Sequence, residues 1–270
     1  MTSLDPTPPI RDRYRIRFAK TGLLRWIGHR DLQRLWERVL RRADVRLSMS
    51  QGFHPKPRIN FPSALALGAQ GIDEVIEVEV AQSITPDELR QRLIDDNQPG
   101  LTIGSVELVA KANIGRTGVS PLPGFTKAKL HSSVYEITLP ESYNAASPDF
   151  ARIDDAIANL KSQSFLRVSR SGKEISAHVA TSFPVLHRRD HVIHLVQVDN
   201  DGATLKPTEI LDAIGLADLI EQGATICRTR VILVDQTEPH FTDSDRTPMF
   251  PDLITNKNHT LTDNLFKERI

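Results

Sequence analysis

The chain has 270 residues, 39% of them hydrophobic and 25% charged, which is typical of a globular protein with one or two domains. Its 34 basic and 34 acidic residues give a formal net charge of zero. No apolar run approaches the roughly 20 residues of a membrane span, and the N-terminal ten residues do not resemble a signal peptide. The single cysteine, Cys227, excludes a disulfide framework and a cysteine-rich metal or iron–sulfur site within this chain. We therefore expect a cytoplasmic protein with no membrane partner, no metal and no cofactor of its own.

The zero net charge hides an uneven distribution. Residues 1–60 contain 14 basic and five acidic residues, so this segment carries about +9 and the remainder about −9. A basic region on a neutral chain is what electrostatic steering of a nucleic acid requires. The same charge suits docking of an acidic protein, or of the acidic remainder of this chain, and both interpretations stay open here.

The apolar pattern predicts six elements in residues 11–109, in the order β-α-β-β-α-β. That order is the ferredoxin-like one, which places both helices on one face of a four-stranded antiparallel sheet. The sequence thus predicts a ferredoxin-like domain of the α+β class. The elements are a strand at 13–18, a helix from about 29, an irregular turn into a strand at 50–61, a strand at 73–80, a helix from 85 to about 96 and a strand at 101–109.

The same order recurs further along the chain. Residues 110–130 are rich in Gly and Pro and are predicted to form a linker. Residues 131–235 are predicted to form a second ferredoxin-like domain with an elaborated second-strand region, and 236–270, which have little periodicity, a mobile tail. The elements of the second domain are a strand at 131–139, a helix from 147, strand-like segments at 165–170 and 174–185, a strand at 191–198, a short helix at 206–215 and a strand at 225–234.

A row of arginines follows one side of the first predicted helix. Like charges four residues apart repel by roughly 0.2–0.5 kcal/mol per pair, so the row does not serve helix stability. Guanidinium groups along a helix suit phosphate groups, which each accept two hydrogen bonds from one arginine. The alternative is a solvated helix face. The residues of the row are Arg30, Arg34, Arg38 and Arg42, with Arg41 beside them.

Residues 50–62 are rich in proline and contain Gly52, so much of their backbone is restricted before any tertiary contact forms. His54, Lys56 and Arg58 lie on this stiff segment, which predicts a site for an anionic partner. The alternative is an edge strand whose prolines only prevent aggregation.

Two histidines are candidates for acid–base chemistry on a ribose 2′-OH, namely His29 at the start of the first helix and His54 in the stiff segment. A histidine at a helix start is more often a capping or packing group. His187, His191 and His194 are close in sequence but alternate along predicted strands, so we predict no metal site there.

The outward side of the first predicted sheet carries charged residues. Arg15 and Arg17 are predicted to lie beside Glu77 and Glu79 and to pair with them across the strands. This face lacks the exposed aromatic pair on which RNA-recognition sheets stack bases, so a base-stacking sheet is not expected.

Ten positions between 29 and 74 form a pattern whose most specific part is Ser-Gln-Gly-Phe-x-Pro-x-Pro. The positions are His29, Asp31, Arg42, Ser50, Gln51, Gly52, Phe53, Pro55, Pro57 and Glu74. Together with neighbouring residues, they resemble a radical-SAM-linked bacterial domain of unknown function, over roughly residues 11–235. The resemblance implies a domain that stands beside, or is fused to the C-terminus of, a radical-SAM protein with a B12-binding-like domain. It also implies an association with RNA or ribosome metabolism, and it brings no biochemical activity with it.

Three functions fit these features. The first is a non-catalytic partner of a radical-SAM enzyme that binds structured RNA through the arginine row and residues 52–58. The second is a metal-independent endoribonuclease, because tandem ferredoxin-like domains resemble the CRISPR repeat-processing nucleases in architecture, with His29 or His54 as the acid–base group. The third is a protein-only docking module. We expect the first.

Overall fold

A computed structural model of the chain describes residues 11–112, 127–143, 148–200 and 204–236. These residues form an α+β fold built on one large mixed sheet. Within them, no helix has the length and apolar character needed to cross a membrane. The strands are β1 (Arg11–Lys20), β2 (Ile59–Asn60), β3 (Gln70–Val80), β4 (Leu101–Ala112), β5 (Leu130–Thr138), β6 (Phe165–Arg170), β7 (Lys173–His178), β8 (Val185–Arg189), β9 (Val192–Val198) and β10 (Thr225–Leu233). The α-helices are α1 (His29–Arg42), α2 (Pro86–Asp95), α3 (Pro148–Lys161), α4 (Val179–Ser182), α5 (Pro207–Ala213) and α6 (Asp218–Glu221).

Seven strands of the large sheet follow one another in the order β4-β1-β3-β10-β5-β9-β8, and β2 pairs with one end of β3. In the first half of the sheet β1 lies between β3 and β4 and is antiparallel to both. In the second half β5 lies between β10 and β9, again antiparallel to both. A short parallel contact between β3 and β10, with Arg228 opposite Gly71, joins the halves. The α+β class predicted from the sequence is confirmed.

The first half is held by a core between β1, β3 and the two helices α1 and α2. The alternating residues Tyr14, Ile16 and Phe18 of β1 are fully buried and face this core. The helical stripe predicted from the sequence supplies Trp36, whose ring meets that of Phe18 edge-on at 5.0 Å between centroids. Thr85 accepts a hydrogen bond from the backbone of Glu88 and caps α2, as the sequence predicts.

The second half has its own core, but the first half contributes to it. Leu65 and Ala69, from the segment between β2 and β3, are buried against residues of β5, β9 and helices α3 to α6. On the opposite face of the sheet, Val75 of β3 packs with Leu130 of β5 and with Val231 and Leu233 of β10. Apolar packing on both faces therefore ties the two halves together.

The structure corrects three boundaries. The predicted linker 110–130 is strand at both ends, because β4 continues to Ala112 and β5 begins at Leu130; residues 113–126 lie outside the described part. The strand-like segment predicted at 174–185 is confirmed only as far as His178, where β7 ends and α4 follows it. The predicted tail 236–270 begins with Gln236, which accepts a hydrogen bond from Arg17 at 2.7 Å; its remaining residues lie outside the described part.

The correction at residues 174–185 has a local cause in the turn between β6 and β7. Ser171 and Gly172 both have positive φ, +53° and +77°. This combination makes the tight two-residue turn that matches the twist of a hairpin. The hairpin β6–β7 forms a separate two-stranded sheet beside the large one.

Candidate nucleic-acid interface

The arginine row of α1 lies on the outer surface of the first half. Apolar residues of α1 turn inward, so all five predicted arginines are exposed. Two of them have acidic neighbours: Arg42 binds the Asp96 carboxylate through Nε and Nη2 at 2.6 and 2.7 Å, and Arg34 lies 3.4 Å from Asp31. The side chains of the other three make no hydrogen bond or ion pair within the described part of the chain. These free arginines are Arg30, Arg38 and Arg41.

The arginines of β1 are arranged quite differently. Arg13 and Arg15 are each only 6% exposed. Arg13 donates to Glu79 at 2.6 Å and Arg15 to Glu77 at 2.9 Å. For Glu79, burial raises the pKa of the carboxyl, but hydrogen bonds from Arg11 and Arg13 outweigh it, so that the net effect lowers the pKa. These arginines hold the sheet together and are not available to a ligand.

The predicted cross-strand pairing is therefore confirmed for Arg15 and wrong for Arg17. In the register of β1 with β3, Arg15 lies opposite Glu77 but Arg17 lies opposite Val75. The guanidinium group of Arg17 instead binds Asp73 at 2.6 Å.

The segment that contains the Ser-Gln-Gly-Phe-x-Pro-x-Pro pattern forms a projecting hairpin, which we call the 48–58 hairpin. Its two arms are joined by Arg58 N–H to Ser48 O at 2.9 Å and Ser50 N–H to Lys56 O at 2.8 Å. The Ser50 hydroxyl also accepts from the backbone of Lys56 at 2.9 Å. Ser48 N–H donates to Glu79 O at 2.7 Å, which ties the base of the hairpin to β3.

The tip of this hairpin is solvent-exposed. Residues 51–56 are all exposed, and the Phe53 side chain is as accessible as in an extended peptide, at 103%. Gly52 adopts φ +127°, which favours glycine at the turn. The tip therefore presents an aromatic ring with His54 and Lys56 close by in the chain. Arg58 lies nearer the base, where its Nε donates to Met49 O at 3.2 Å and lies 3.6 Å from Glu79.

The two candidate histidines have different surroundings. The His29 ring meets the Phe61 ring edge-on at 5.1 Å between centroids, which places the start of α1 beside the chain leaving the 48–58 hairpin. Partial burial, with the positive charge of Lys20, lowers the pKa of His29. His54 is exposed at the hairpin tip.

Glu74 lies at the junction of the two halves and binds Arg228 of β10. Arg228 Nε donates to Glu74 Oε1 at 2.8 Å, Nη2 donates to the other carboxylate oxygen, and Nη1 donates to Ser63 Oγ at 2.8 Å. Glu74 is 4% exposed and Arg228 is 1% exposed. Lys20, also 1% exposed, donates to Ile27 O at 3.1 Å nearby, and burial lowers the pKa of its amine. The cluster brings together Lys20 of β1, Glu74 of β3 and Arg228 of β10.

No cluster of three or more metal-ligating side chains occurs in the described ranges. His187 and His194 face each other across β8 and β9 with ring centroids 5.2 Å apart, and His194 lies 3.8 Å from Glu136. The third histidine of that group, His191, packs edge-on against Phe150 instead.

Residues 13–207 match the family described as uncharacterized protein conserved in bacteria (DUF2344). The chain belongs to this family. No protein with a curated description matches it. One solved structure that it resembles is the crystal structure of an unknown protein from Galdieria sulphuraria, with 10% sequence identity and a TM-score of 0.25; the alignment covers 83% of this chain and 99% of that one.

The DUF2344 match ends before β10, although β10 completes the large sheet and carries Arg228. The role of Arg228 was not predicted from the sequence, because an arginine in an alternating strand is expected to have an exposed side chain. It also treated Phe53 only as a pattern position. The signal available for Phe53 was its place between glycine and two X-Pro units, where no apolar neighbour in sequence can bury it.

Proposed function

We propose that this protein binds structured RNA through α1 and the 48–58 hairpin and presents it to a radical-SAM enzyme, without itself being the catalyst. The observation that carries the proposal is the set of exposed arginines on α1 that have no acidic partner in the described residues, Arg30, Arg38 and Arg41. Their repulsion brings the helix no stability, whereas phosphate oxygens would satisfy their donors and neutralise their charge.

The 48–58 hairpin supports the same conclusion with different chemistry. Proteins that bind single-stranded regions of nucleic acid combine a cationic surface with aromatic rings on which bases stack. Phe53 offers such a ring without having to move, because neither face is covered, and Lys56 supplies a cation close by. A loop or bulge of an RNA helix provides unstacked bases that can reach a projecting ring.

The architecture that would hold this surface is, in our proposal, a pair of tandem ferredoxin-like domains over 11–109 and 131–235. The strand pairings β4-β1-β3-β2 and β10-β5-β9-β8 support it, because 4-1-3-2 is the order that a βαββαβ unit takes when the second and fourth strands lie at its edges. The hairpin β6–β7 with α4 is then an insertion before the second strand of the second unit.

The radical-SAM protein is proposed as the partner because of the resemblance stated for the ten pattern positions. The described geometry is compatible with an accessory role. Four of those positions have roles within the protein: Arg42 binds Asp96, Ser50 and Gly52 shape the hairpin, and Glu74 binds Arg228. Others lie exposed at the hairpin tip, where a partner can reach them; these are Gln51, Phe53 and Pro55.

The test is the affinity of the full chain for a structured RNA with an unpaired loop, measured by fluorescence anisotropy. The charge-reversal variant Arg38→Glu plus Arg41→Glu is expected to weaken binding at least tenfold, since each lost cation–phosphate contact is worth about 1 kcal/mol. The matched control is Lys161→Glu plus Arg189→Glu, which changes net charge equally at exposed positions of α3 and β8. Equal weakening by both variants, or by neither, would contradict a binding surface on α1.

A second candidate function, metal-independent RNA cleavage, is favoured by one observation. Partial burial, followed by the positive charge of Lys20, lowers the pKa of His29 and so favours the neutral ring, which is the form that accepts a proton. Cleavage of RNA by the pure protein in EDTA, abolished by His29→Ala or His54→Ala, would show that the protein is a nuclease and not an accessory subunit. Stable binding to the radical-SAM enzyme without any RNA affinity would instead make α1 a protein-docking surface.

A further inference from the structure

Three large apolar side chains are exposed beside the connection from β1 to α1. Leu23 is 86% exposed and Trp26 is 59% exposed, and both belong to the 3₁₀ helix Gly22–Trp26. Residues three apart lie on the same side of a 3₁₀ helix, so these two side chains share one face. Leu67, 64% exposed, precedes Gly68, where a Cβ atom would lie 3.2 Å from Trp26 Cζ3. We call Leu23, Trp26 and Leu67 the Trp26 patch.

The backbone beneath the Trp26 patch is held at two points. Gly68 N–H donates to Arg25 O and Thr21 N–H donates to Gly100 O, each at 2.9 Å. Gly68 adopts φ +84°, which favours glycine, and the absence of a side chain there leaves room for the Trp26 ring. Because this surface is already fixed in place, a partner would bind it at little cost in conformational entropy.

A free cation lies within the patch. The guanidinium carbon of Arg25 lies 4.8 Å from the centroid of the Trp26 ring. The Arg25 side chain makes no hydrogen bond or ion pair among the residues that the structure describes. The nearest acid along the chain, Asp31, lies 3.4 Å from Arg34 instead. The patch therefore combines apolar surface with a positive charge that has no counterion there.

We propose that the Trp26 patch is a docking surface for a second protein, which packs an apolar segment against the patch and places a carboxylate beside Arg25. Exposed apolar patches with polar surroundings mark interaction sites. Tryptophan and arginine are enriched among the residues that carry most of the binding energy of protein interfaces. The inference rests on the proposed function in one respect, namely that the docked segment belongs to the radical-SAM enzyme.

Two other occupants match the patch less well. Nucleic acids bind through base stacking and phosphate contacts, for which the aliphatic side chains of Leu23 and Leu67 are unsuited. A second copy of the chain, docked patch to patch across a two-fold axis, would bring two unpaired Arg25 side chains into one small interface. An apolar segment with a carboxylate, on a different protein, satisfies both the apolar surface and the charge.

The test measures the affinity of the full chain for the purified radical-SAM enzyme by isothermal titration calorimetry. Trp26→Ala is expected to weaken the complex at least about 30-fold, the effect of losing a dominant interface side chain. Leu23→Ser plus Leu67→Ser is expected to weaken it at least about tenfold, and so is Arg25→Glu. The serine pair keeps the test decisive if Trp26→Ala lowers the melting temperature, because both leucines are mostly exposed.

Two matched controls lie in the second half of the protein. Phe165→Ala removes a ring that is 51% exposed, and Lys161→Glu reverses an exposed charge on α3. Both are expected to leave the affinity for the enzyme unchanged. Trp26→Ala is expected to leave the affinity for RNA unchanged, because the patch is separate from the arginine row and the 48–58 hairpin.

The outcomes separate this inference from the proposed function. Equal affinity of wild type and all patch variants for the enzyme would overturn the docking surface and leave the proposed function standing. Absence of binding by wild type would overturn both the inference and the partner named in the proposed function. Loss of RNA affinity in Trp26→Ala with an intact enzyme complex would assign the patch to nucleic acid. A wild-type dimer that Trp26→Ala dissociates, measured by sedimentation equilibrium, would assign it to a second copy, and either result contradicts the inference.

Discussion

The arginines of β1 and those of α1 are close in sequence and regularly spaced, yet they occupy opposite environments. Arg13 and Arg15 are buried and paired with glutamates of β3. Arg38 and Arg41 are exposed and without a partner in the described residues. The number of arginines in a segment therefore does not determine how much positive charge a ligand can reach. What decides it is whether the fold brings an acidic strand opposite them.

The same lesson applies to the charge of the whole first half. Residues 1–60 carry about +9, but residues 11–109 contain 16 basic and 13 acidic residues and so carry only +3. The acids that reduce the charge include those that β3 places against β1. The remaining positive charge is therefore a local property of α1 and the 48–58 hairpin.

The largest effect on the free energy of unfolding is expected where a substitution breaks a buried ion pair. Arg228→Met leaves the Glu74 carboxylate buried without its partner, and we expect a loss of about 3–5 kcal/mol in the free energy of unfolding, measured by urea denaturation. Arg38→Met on α1 is the matched control and is expected to change stability by less than about 0.5 kcal/mol. The combination Glu74→Leu plus Arg228→Met should recover most of the loss, since no charge stays buried. Equal destabilisation by Arg38→Met and Arg228→Met would contradict the distinction between paired and free arginines.

A smaller effect, on binding and not on stability, is expected at the hairpin tip. Phe53→Ala should weaken RNA binding by about 5- to 150-fold, the range for removal of one base-stacking ring. Its unfolding free energy should stay within about 0.5 kcal/mol of wild type, because the side chain is fully exposed. Leu23→Ala, at an apolar side chain that is 86% exposed, is the control. A stability loss in Phe53→Ala with intact RNA affinity would make the ring structural.

The effect that is smallest near neutral pH concerns Cys227, which neighbours Arg228 in β10. Burial, followed by the negative charges of Glu136 and Glu74, raises the pKa of its thiol to about 12. Between pH 9 and that value the folded protein holds a proton that the unfolded chain releases, so stability should fall as pH rises through this window. Thiol-reactive reagents at pH 8 should label Cys227 slowly in the folded protein and rapidly in denaturant. Rapid labelling of the folded protein would show that the junction between β3 and β10 opens.

Much of the first half could be predicted from the sequence because its local signals agree. The alternation in β1, the helical stripe that includes Trp36 and the Thr85 cap each specify one element, and each is confirmed. The pairing of Arg17 was missed because it depends on the register between β1 and β3, which sequence periodicity does not encode.

The second half was harder to predict for a physical reason. The segment 174–185 is apolar enough for a strand, yet the turn at Ser171 and Gly172 closes β6 on β7 and leaves residues 179–182 to form α4. The ion pair of Glu74 with Arg228 joins residues 154 positions apart, and no local sequence pattern predicts such a contact. The exposed row on α1 was predictable, but which of its members are free was not, because Asp96 reaches Arg42 from the end of α2.

The most direct test of the distinction between paired and free arginines is the salt dependence of RNA binding. Each phosphate contact contributes about 0.7 to 0.9 to the slope of log affinity against log salt. We expect that neutralising two free arginines, Arg38→Gln plus Arg41→Gln, lowers the magnitude of that slope by about 1.4 to 1.8. An unchanged slope in this variant would contradict it, because the phosphates would then be bound elsewhere.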